Sequence, residues 1–257
     1  MRFGLEVRAG RPAAEEFATL LRAMVRDRGG KVVGLEEEPD VVVAVGGDGT
    51  MLAAARRALT WDVPVLGFNL GTLGFLAEAE KDEADEAVKR LIGGDFGIQS
   101  RLTVTAATGG VSATGVNDVV VEKIDSTRLV GLSVTVDGTH FATYQADGLV
   151  VATPTGSTAY SFSAGGPIID PSVDALVMTP VAAHSLFDRS IVLPSDVEIR
   201  VTVSRDRPVK ATVDKVGLKQ LGHNETVIIT RGDRAARFVT FGDRSFPGVI
   251  RGKFGLP

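Results

Sequence analysis

Gly46-Gly47-Asp48-Gly49-Thr50 is the segment of this chain whose residue types are best suited to chemistry. Its glycines let the backbone approach a bulky anion closely, and the free N–H groups at the start of a following helix favour phosphate. A carboxylate beside phosphates is electrostatically costly, so Asp48 indicates a task. It either coordinates a divalent ion that bridges phosphates or accepts a proton from an attacking hydroxyl. A glycine-rich turn whose aspartate merely caps a helix is the alternative interpretation.

This pentapeptide matches neither of two common phosphate-binding fingerprints. It is not a Walker A loop, because no Gly-Lys-Ser/Thr follows it. It is not a dinucleotide fingerprint either, because Leu52 stands where the third glycine would be. Thr50 is expected to be the N-cap of the helix that follows.

A second polar segment, residues 153–167, is dense in hydroxyls and small residues. Such a stretch places several donors and acceptors around a polar ligand, and Tyr160 is able to cover an aromatic base. A capped short helix in a Ser/Thr-rich loop is the alternative. A serine hydrolase is a weaker hypothesis, because Gly156-Ser157-Thr158 lacks the Gly-x-Ser-x-Gly elbow.

The pentapeptide resembles the signature of the glycine-glycine-aspartate-glycine kinases, which include NAD kinases, diacylglycerol and sphingosine kinases, and 6-phosphofructokinases. Residues 153–167, together with residues 147–152 before them, resemble the signature of NAD kinases specifically. Two further segments are similar to that family: Phe68-Asn-Leu-Gly-Thr-Leu-Gly-Phe-Leu76 and Val116-Asn117-Asp118-Val119-Val120. The resemblance runs from about residue 40 to residue 200, in the family's order and spacing.

The elements around the first motif alternate between strand and helix. The β-branched run at residues 40–45 predicts a parallel strand covered on both faces. Apolar spacing within residues 13–28 predicts an amphipathic helix that ends at Gly29-Gly30. Residues 3–7 and 63–68 are further predicted strands, and residues 51–59 and 82–92 are further predicted helices. This alternation implies an α/β layer with a parallel sheet.

From about residue 100 the pattern becomes that of antiparallel strands. Residues 102–105, 132–136 and 197–203 alternate apolar with polar positions, and Asp137-Gly138 predicts a hairpin turn. With the resemblance, the expected fold class is α/β + β. An N-terminal Rossmann-like α/β domain at residues 1–98, completed by residues 240–257, carries the glycine loop. A C-terminal antiparallel β-sandwich domain at residues 99–239 binds the dinucleotide.

Composition excludes several other classes of protein. The chain has 257 residues, 44% of them hydrophobic, and a formal net charge of −4, so no positive field favours nucleic acid or an anionic membrane. It has no cysteine, which excludes disulfides, zinc–thiolate sites and a cysteine nucleophile. No secretory signal and no run of about 18 apolar residues is found. A soluble cytoplasmic protein is expected.

The resemblance implies that phosphate passes from ATP, or from another triphosphate or polyphosphate, to the 2′-hydroxyl of the adenosine ribose of NAD. Asp48 would be the general base, and Gly46, Gly47 and Gly49 would hold the triphosphate with a divalent cation, Mg²⁺. Asn117 and Asp118 would bind polar groups of the dinucleotide. The adenine pocket and the adenosine half would be lined by Phe68, Thr158, Ala159, Tyr160, Ser161, Phe162 and Ser163.

Four further residues match family positions in the second half of the chain. Asp147 and Ala182 match positions that contact the nicotinamide end, often from a neighbouring subunit, which implies a homodimer or homotetramer. Arg128 aligns with a substrate-contacting position and is a partner for the pyrophosphate; a surface arginine is the alternative. Gln145 stands where a polar side chain permits NADH as well as NAD.

The chain departs from the family pattern at two positions. Asp118 replaces the usual glutamate and is one methylene shorter. Val216 replaces a glutamine that often touches ligand, so that contact is not transferred. His184, beside Ala182, is expected to be structural.

Two other hypotheses remain open from the sequence. A lipid or sugar kinase of the same superfamily does not explain residues 153–167. A non-catalytic NAD(P)-binding regulator gains nothing from a carboxylate beside phosphate, so Asp48 argues against it.

Overall fold

The computed structural model describes residues 1–71, 74–125, 127–242 and 244–256. The chain divides into two compact units. The first comprises Met1–Arg101 with Ala235–Pro257, and the second is Leu102–Arg234. Each unit has its own hydrophobic core. Residues 72 and 73, within the motif at 68–76, lie outside the described residues.

A seven-stranded sheet forms the centre of the first unit. The first five strands in sheet order pair in parallel, and the sixth, Gly97–Arg101, runs antiparallel to Ala236–Thr240. The strand Val41–Val45 is buried along its whole length, as expected for a strand with both faces covered. In sheet order the strands are β2 (Lys31–Val33), β1 (Arg2–Val7), β3 (Val41–Val45), β4 (Val65–Asn69), β19 (Ala236–Thr240) and β6 (Gly97–Arg101), with β5 (Ala79–Glu80) beside β4.

Four helices accompany this sheet: α1 (Pro12–Asp27), α2 (Asp48–Trp61), α3 (Ala84–Gly93) and α5 (Phe246–Phe254). Helix α1 buries Phe17, Leu21 and Val25, which confirms most of its predicted apolar face. Met24 of that face is only partly buried, and Leu20 is exposed. It ends as predicted: Gly29 has a φ of 78°, and the N–H of Gly30 donates to the carbonyl of Val25 at 2.9 Å.

The predicted role of Thr50 as a helix cap is wrong. The N-cap of α2 is Gly47, and the helix begins at Asp48. Thr50 is therefore already inside the first turn, where it is buried. The first helical hydrogen bonds show this start, since the carbonyl of Gly47 accepts from the N–H groups of Thr50 at 2.8 Å and Met51 at 3.1 Å. The Thr50 hydroxyl packs against Gly46, where a side chain would lie 2.4 Å from it.

The second unit is a sandwich of two antiparallel six-stranded sheets, which confirms the predicted fold class. The predicted hairpin at Asp137-Gly138 is confirmed, since both residues have the positive φ of a type I′ turn, 47° and 77°. One sheet contains β11 (Thr139–Ala146), β10 (Val130–Val136), β15 (Ile199–Val203), β18 (Thr226–Arg231), β7 (Val104–Thr108) and β8 (Val111–Gly115). The other contains β14 (Ile191–Pro194), β13 (Ala175–Val181), β12 (Gly148–Ala152), β9 (Asp118–Lys123), β16 (Val209–Val213) and β17 (Val216–Leu221).

The short helix α4 (Tyr160–Ser163) follows β12 in the second unit. Within the described ranges, no helix of either unit has the length and apolar character needed to cross a membrane.

Candidate active site

Asp48 lies in the first turn of α2, two residues beyond the glycine that follows β3. Its Oδ2 accepts a hydrogen bond from the N–H of Phe75 at 3.4 Å. Its Oδ1 is buried and has no hydrogen-bond partner among the described residues. Gly74 packs directly on this oxygen, because a side chain there would lie 2.4 Å from Oδ1. Leaving a buried carboxylate oxygen unpaired is costly, so this atom gains most from a ligand or a proton.

Gly47 and Gly49 are open to the surroundings of the loop. A methyl group added at either position would meet nothing within 4 Å. The N-terminus of α2 also has no side-chain cap, so its first N–H groups are not satisfied by a neighbouring side chain. Open backbone and an uncapped helix start are the features that bind phosphate.

Asn117 and Asp118 lie at the start of β9 in the second unit, where one carboxylate organises the backbone. Asp214 accepts hydrogen bonds from the N–H groups of Val116 at 2.8 Å, Asn117 at 2.8 Å and Asp118 at 3.2 Å. Asp214 belongs to the turn between β16 and β17. The sequence interpretation considered this turn only for a ligand contact and missed its role in positioning residues 116–118.

The carboxyl group of Asp118 is buried, with 4% of the residue exposed. Burial raises the pKa of Asp118 from 3.8 to about 7; the negative charge of Asp214 adds to this effect, and the positive charge of Lys215 opposes it. A carboxyl group that ionises near neutral pH becomes there a group that only accepts hydrogen bonds, and the ionised form is suited to accept one from a ligand hydroxyl.

Residues 153–159 hold the Asn117 backbone in place. The N–H of Thr153 donates to the carbonyl of Asn117 at 2.9 Å, and its hydroxyl donates to the carbonyl of Val116 at 2.6 Å. Gly156 packs against the same peptide group, because a side chain there would lie 2.0 Å from the Asn117 carbonyl oxygen. This part of the motif therefore shapes the position of Asn117.

Several hydroxyls of residues 153–167 point into the unit. Ser157 Oγ donates to the carbonyl of Pro154 at 2.6 Å and accepts from the N–H of Ile169 at 2.9 Å. Ser161 Oγ lies 3.0 Å from Thr179 Oγ1, and both are buried. The interpretation of this stretch as a short helix in a hydroxyl-rich loop is correct for its local structure: a 3-10 turn, Gly156–Thr158, leads into α4.

The remaining predicted residues of this segment are accessible. Thr158, Ala159 and Tyr160 are partly exposed, and Phe162 and Ser163 are exposed. Burial raises the pKa of Tyr160, followed by the negative charges of Glu122, Asp147 and Asp118. Asp118 and Asp147, two of the three predicted aspartates, are therefore near enough to Tyr160 for their charges to act on it.

Gln145, Asp147 and Ala182 meet where β11, β12 and β13 adjoin. The N–H of Asp147 donates to the carbonyl of Val181 at 2.9 Å, next to Ala182 with its φ of 47°. The N–H of His184 donates to the carbonyl of Gln145 at 2.7 Å. The sequence interpretation missed Lys123, whose Nζ lies 2.5 Å from Asp147 Oδ1.

Arg128 lies at a separate opening of the second unit. It lines a cavity of about 150 Å³ together with Lys123, Asp125 and Arg207. Through Lys123 this cavity adjoins the ion pair with Asp147. Arg128 therefore lies in a cavity that it shares with Lys123, the ion-pair partner of Asp147.

The prediction for the Phe68 side chain needs correction. Phe68 belongs to β4, is 0% exposed, and its ring packs edge-on against that of Phe17 at 5.5 Å. A ring enclosed in the core of the first unit does not line an adenine pocket. The apolar run at residues 65–68 carried that signal, since continuous apolar strands are buried on both faces.

A glycine loop that opens a helix and carries a carboxylate with one unpaired oxygen is typical of a nucleotide-binding phosphotransferase. Models of known families match most of the chain. The ATP-NAD kinase N-terminal domain matches residues 31–96, and the ATP-NAD kinase C-terminal domain matches residues 116–241. The chain belongs to the NAD kinase family, and the resemblance drawn from its motifs is confirmed.

Individual relatives agree with this assignment. The NAD kinase of Magnetococcus marinus is 40% identical over 224 residues, which are 84% of this chain and 74% of that protein. The NAD kinase of Moorella thermoacetica is 37% identical over 247 residues, 91% of this chain and 79% of that protein. A lipid or sugar kinase is set aside by these matches.

Two solved structures share the fold. A yeast NADH kinase in complex with NADH has a TM-score of 0.92 at 22% identity, covering 100% of this chain and 88% of that one. An NAD kinase from Archaeoglobus fulgidus in complex with ATP has a TM-score of 0.81 at 22% identity, covering 98% of this chain and 99% of that one.

Proposed function

We propose that this chain transfers the terminal phosphoryl group of ATP, or of another triphosphate or polyphosphate, to the 2′-hydroxyl of the adenosine ribose of NAD. The product is NADP. Family membership supports the reaction class and the acceptor. The single observation that supports the residue assignment is the buried Oδ1 of Asp48, which has no hydrogen-bond partner among the described residues.

Asp48 acts as the general base in this proposal. Its Oδ1 accepts the proton of the ribose hydroxyl as that oxygen attacks the terminal phosphorus. The N–H groups around Gly46, Gly47 and Gly49 hold the phosphates of the donor. Because phosphoryl transfer leaves little covalent work for the protein, positioning and neutralisation of charge supply most of the acceleration.

A divalent cation, Mg²⁺, fits this set of residues. No group of three or more histidine or acidic side chains that would hold a metal occurs within the described part of the chain. Mg²⁺ commonly keeps several waters and takes other ligands from substrate phosphates, so the phosphates of the donor would supply its main ligands while Asp48 remains the base. When bound, the cation neutralises negative charge on the transferred group.

The second unit binds NAD in this proposal. Asn117 and Asp118 bind polar groups of the dinucleotide, and residues 158–163 surround its adenosine half. Gln145, Asp147 and Ala182 contact the nicotinamide end, with Arg128 as a partner for the pyrophosphate; a polar Gln145 allows NADH as a second acceptor. Residues 1–98 with 240–257, and residues 99–239, remain the predicted functional division.

We also propose that the protein is a cytoplasmic homodimer or homotetramer without nucleic-acid or membrane partners. An exposed apolar group in the second unit supports self-association: Leu186 is 110% exposed, and the rings of Phe141 and Phe187 pair at 5.7 Å while both remain exposed. Light scattering of the purified protein should give a mass of two or four chains. A monomeric mass at micromolar concentration would contradict this part.

A donor-by-acceptor activity matrix tests the proposed reaction. ATP, other triphosphates and inorganic polyphosphate are each combined with NAD, NADH, diacylglycerol and fructose 6-phosphate, with Mg²⁺ or Mn²⁺. We expect phosphate on NAD and none on the lipid or the sugar phosphate. Absence of NADP with every donor and both cations would overturn the proposed function.

A further inference from the structure

The glycine loop forms one wall of a cavity of about 250 Å³ within the first unit. Gly46, Gly47 and Asn69 line it together with Arg8 and Arg11. Strands β1 and β3 are parallel neighbours with Val7 opposite Val45. The loops that follow parallel neighbours emerge at one edge of the sheet. The arginine loop after β1 therefore meets the glycine loop after β3.

The two arginines of this cavity have no anionic partner among the residues that the structure describes. Both side chains are exposed, and neither makes a hydrogen bond or ion pair with the described residues. Other arginines of the same unit do have such partners: Arg28 pairs with Asp85, and Arg57 pairs with Glu36. Of the described residues that line the cavity, none is acidic.

Two helix starts reinforce this positive character. The N-cap of α1 is Arg11 itself, and its side chain makes no capping hydrogen bond. The N-cap of α2 is Gly47, which has no side chain to cap with. Residues from the beginnings of both helices line the cavity, so two positive helix ends and two guanidinium groups act on one space.

The chemistry of phosphoryl transfer calls for such a group of positive charges. The chain of linked phosphates in a donor is highly charged, and the pentapeptide contributes a further negative charge, Asp48, but no cation. A Walker A loop includes a lysine for this purpose. One guanidinium group can bind two phosphate oxygens at once, which gives a more specific geometry than an ammonium group gives.

We propose that this cavity binds the chain of linked phosphates of the phosphoryl donor, and that Arg8 and Arg11 are its principal cationic ligands. The proposal rests on the proposed function and adds to it the residues that neutralise the donor. The recognised chemistry is that of linked phosphates, which ATP and inorganic polyphosphate share. The proposed function assigns the pyrophosphate of NAD to Arg128, which lines a different cavity.

Steady-state kinetics of the full-length double variant Arg8→Ala/Arg11→Ala test this assignment. We expect the KM for ATP to rise at least about tenfold, since one charge-assisted contact alone is of that magnitude. The KM for NAD should change by less than about twofold, because binding of the acceptor is unaffected. The KM for polyphosphate as donor should rise as the KM for ATP does. Arg8→Lys/Arg11→Lys should recover part of the loss.

The chain offers a matched control. Arg22 and Arg26 lie on the same helix α1 and line another cavity, to which no glycine of the loop contributes. Arg22→Ala/Arg26→Ala removes the same charge from the same unit. We expect wild-type KM values for both substrates in this control.

A calorimetric titration with inorganic tripolyphosphate measures the cavity without any turnover. Wild type and the control should bind it, and Arg8→Ala/Arg11→Ala should bind at least about tenfold more weakly. If the wild type binds tripolyphosphate but makes no NADP, the proposed reaction fails while the site stands. A double variant that keeps wild-type tripolyphosphate affinity, or that raises only the KM for NAD, would overturn the site.

Discussion

The loop at residues 46–50 leaves polar groups without partners, whereas the segment at residues 153–167 bonds many of its own internally. Asp48 has a buried oxygen with no hydrogen-bond partner among the described residues, and a methyl group at Gly47 would meet no atom within 4 Å. In the second unit the hydroxyls of Ser157 and Ser161 are buried and bonded to neighbouring groups. Gly156 has no room for a side chain.

This difference shows that the polar groups of a motif can have two roles, in stabilising the fold or in binding a ligand. A polar group that already has a protein partner stabilises the fold, and the free energy of that contact is not available to a ligand. A polar group that folding leaves unpaired remains available for binding or proton transfer. We infer that the first segment acts on ligands directly, and that much of the second acts by holding Asn117 and its neighbours in place.

The largest expected effect is that of Asp48→Asn in the first segment. Loss of a positioned base should lower kcat about 10²–10⁴-fold, while the KM for NAD and the free energy of unfolding change little. NADP formation under saturating substrates measures it. Asp62→Asn makes the same chemical change at the other end of α2, in a C-cap position that asparagine tolerates, and should keep wild-type turnover. Near-wild-type kcat in Asp48→Asn would remove this carboxylate from the chemistry.

Alanine substitutions at Gly156 and Gly47 test the difference between the two segments. Gly156→Ala places a methyl group 2.0 Å from the Asn117 carbonyl oxygen, and we expect it to lower the free energy of unfolding by about 3 kcal/mol. Gly47→Ala meets no atom within 4 Å. It should change the free energy of unfolding by less than about 0.5 kcal/mol and still reduce kcat/KM for ATP. Urea denaturation and kinetics measure both. Equal free energies of unfolding in the two variants would contradict the proposal that Gly156 is structural and Gly47 is not.

Two serines test whether the hydroxyls of the second segment are structural. Ser157→Ala leaves the buried N–H of Ile169 without its partner, so we expect a loss of about 2 kcal/mol in the free energy of unfolding. Ser163→Ala, at an exposed position of α4, should lose less than about 0.5 kcal/mol. Thermal or urea unfolding of both variants provides the measurement. A larger loss in Ser163→Ala than in Ser157→Ala would contradict the internal role.

Local sequence patterns predicted the helix α1 and the hairpin turn correctly, because the interactions that form them join residues close together in the chain. The apolar spacing of α1 and the turn chemistry of Asp137-Gly138 act within a few residues. The prediction of Thr50 as the cap was wrong because it followed residue preference alone, whereas the helix begins three residues earlier with Gly47 as its N-cap. Phe68 failed because a family-like motif extends into a core strand.

The missed residues of the site act over long separations in the chain. Asp214 bonds the N–H of Val116 from 98 positions away, and no local pattern records that pairing. Lys123 reaches Asp147 only because β9 and β12 are neighbours in one sheet. Arg8 and Arg11 meet the glycine loop because β1 lies beside β3. Positions of this kind follow from topology, which motif comparison does not provide.

Asp118 is a buried acid of the second unit, and its raised pKa makes the free energy of unfolding depend on pH. The pKa of Asp118 is raised from 3.8 to about 7, so the folded chain keeps a proton that the unfolded chain has lost. The contribution of Asp118 to the free energy of unfolding should therefore be largest below about pH 4. It should fall by about 1.4 kcal/mol per pH unit up to about pH 7 and stay constant at higher pH.

Asp118→Asn should remove that slope, which urea denaturation at a series of pH values measures against the wild type. The ionised carboxylate accepts a hydrogen bond from a ligand hydroxyl, so the KM for NAD of the wild type should also fall as pH rises through 7, and this dependence should vanish in the variant. A variant whose stability and KM follow the wild-type pH profile would show that Asp118 ionises at its ordinary pKa. Its burial would then carry no weight in binding NAD.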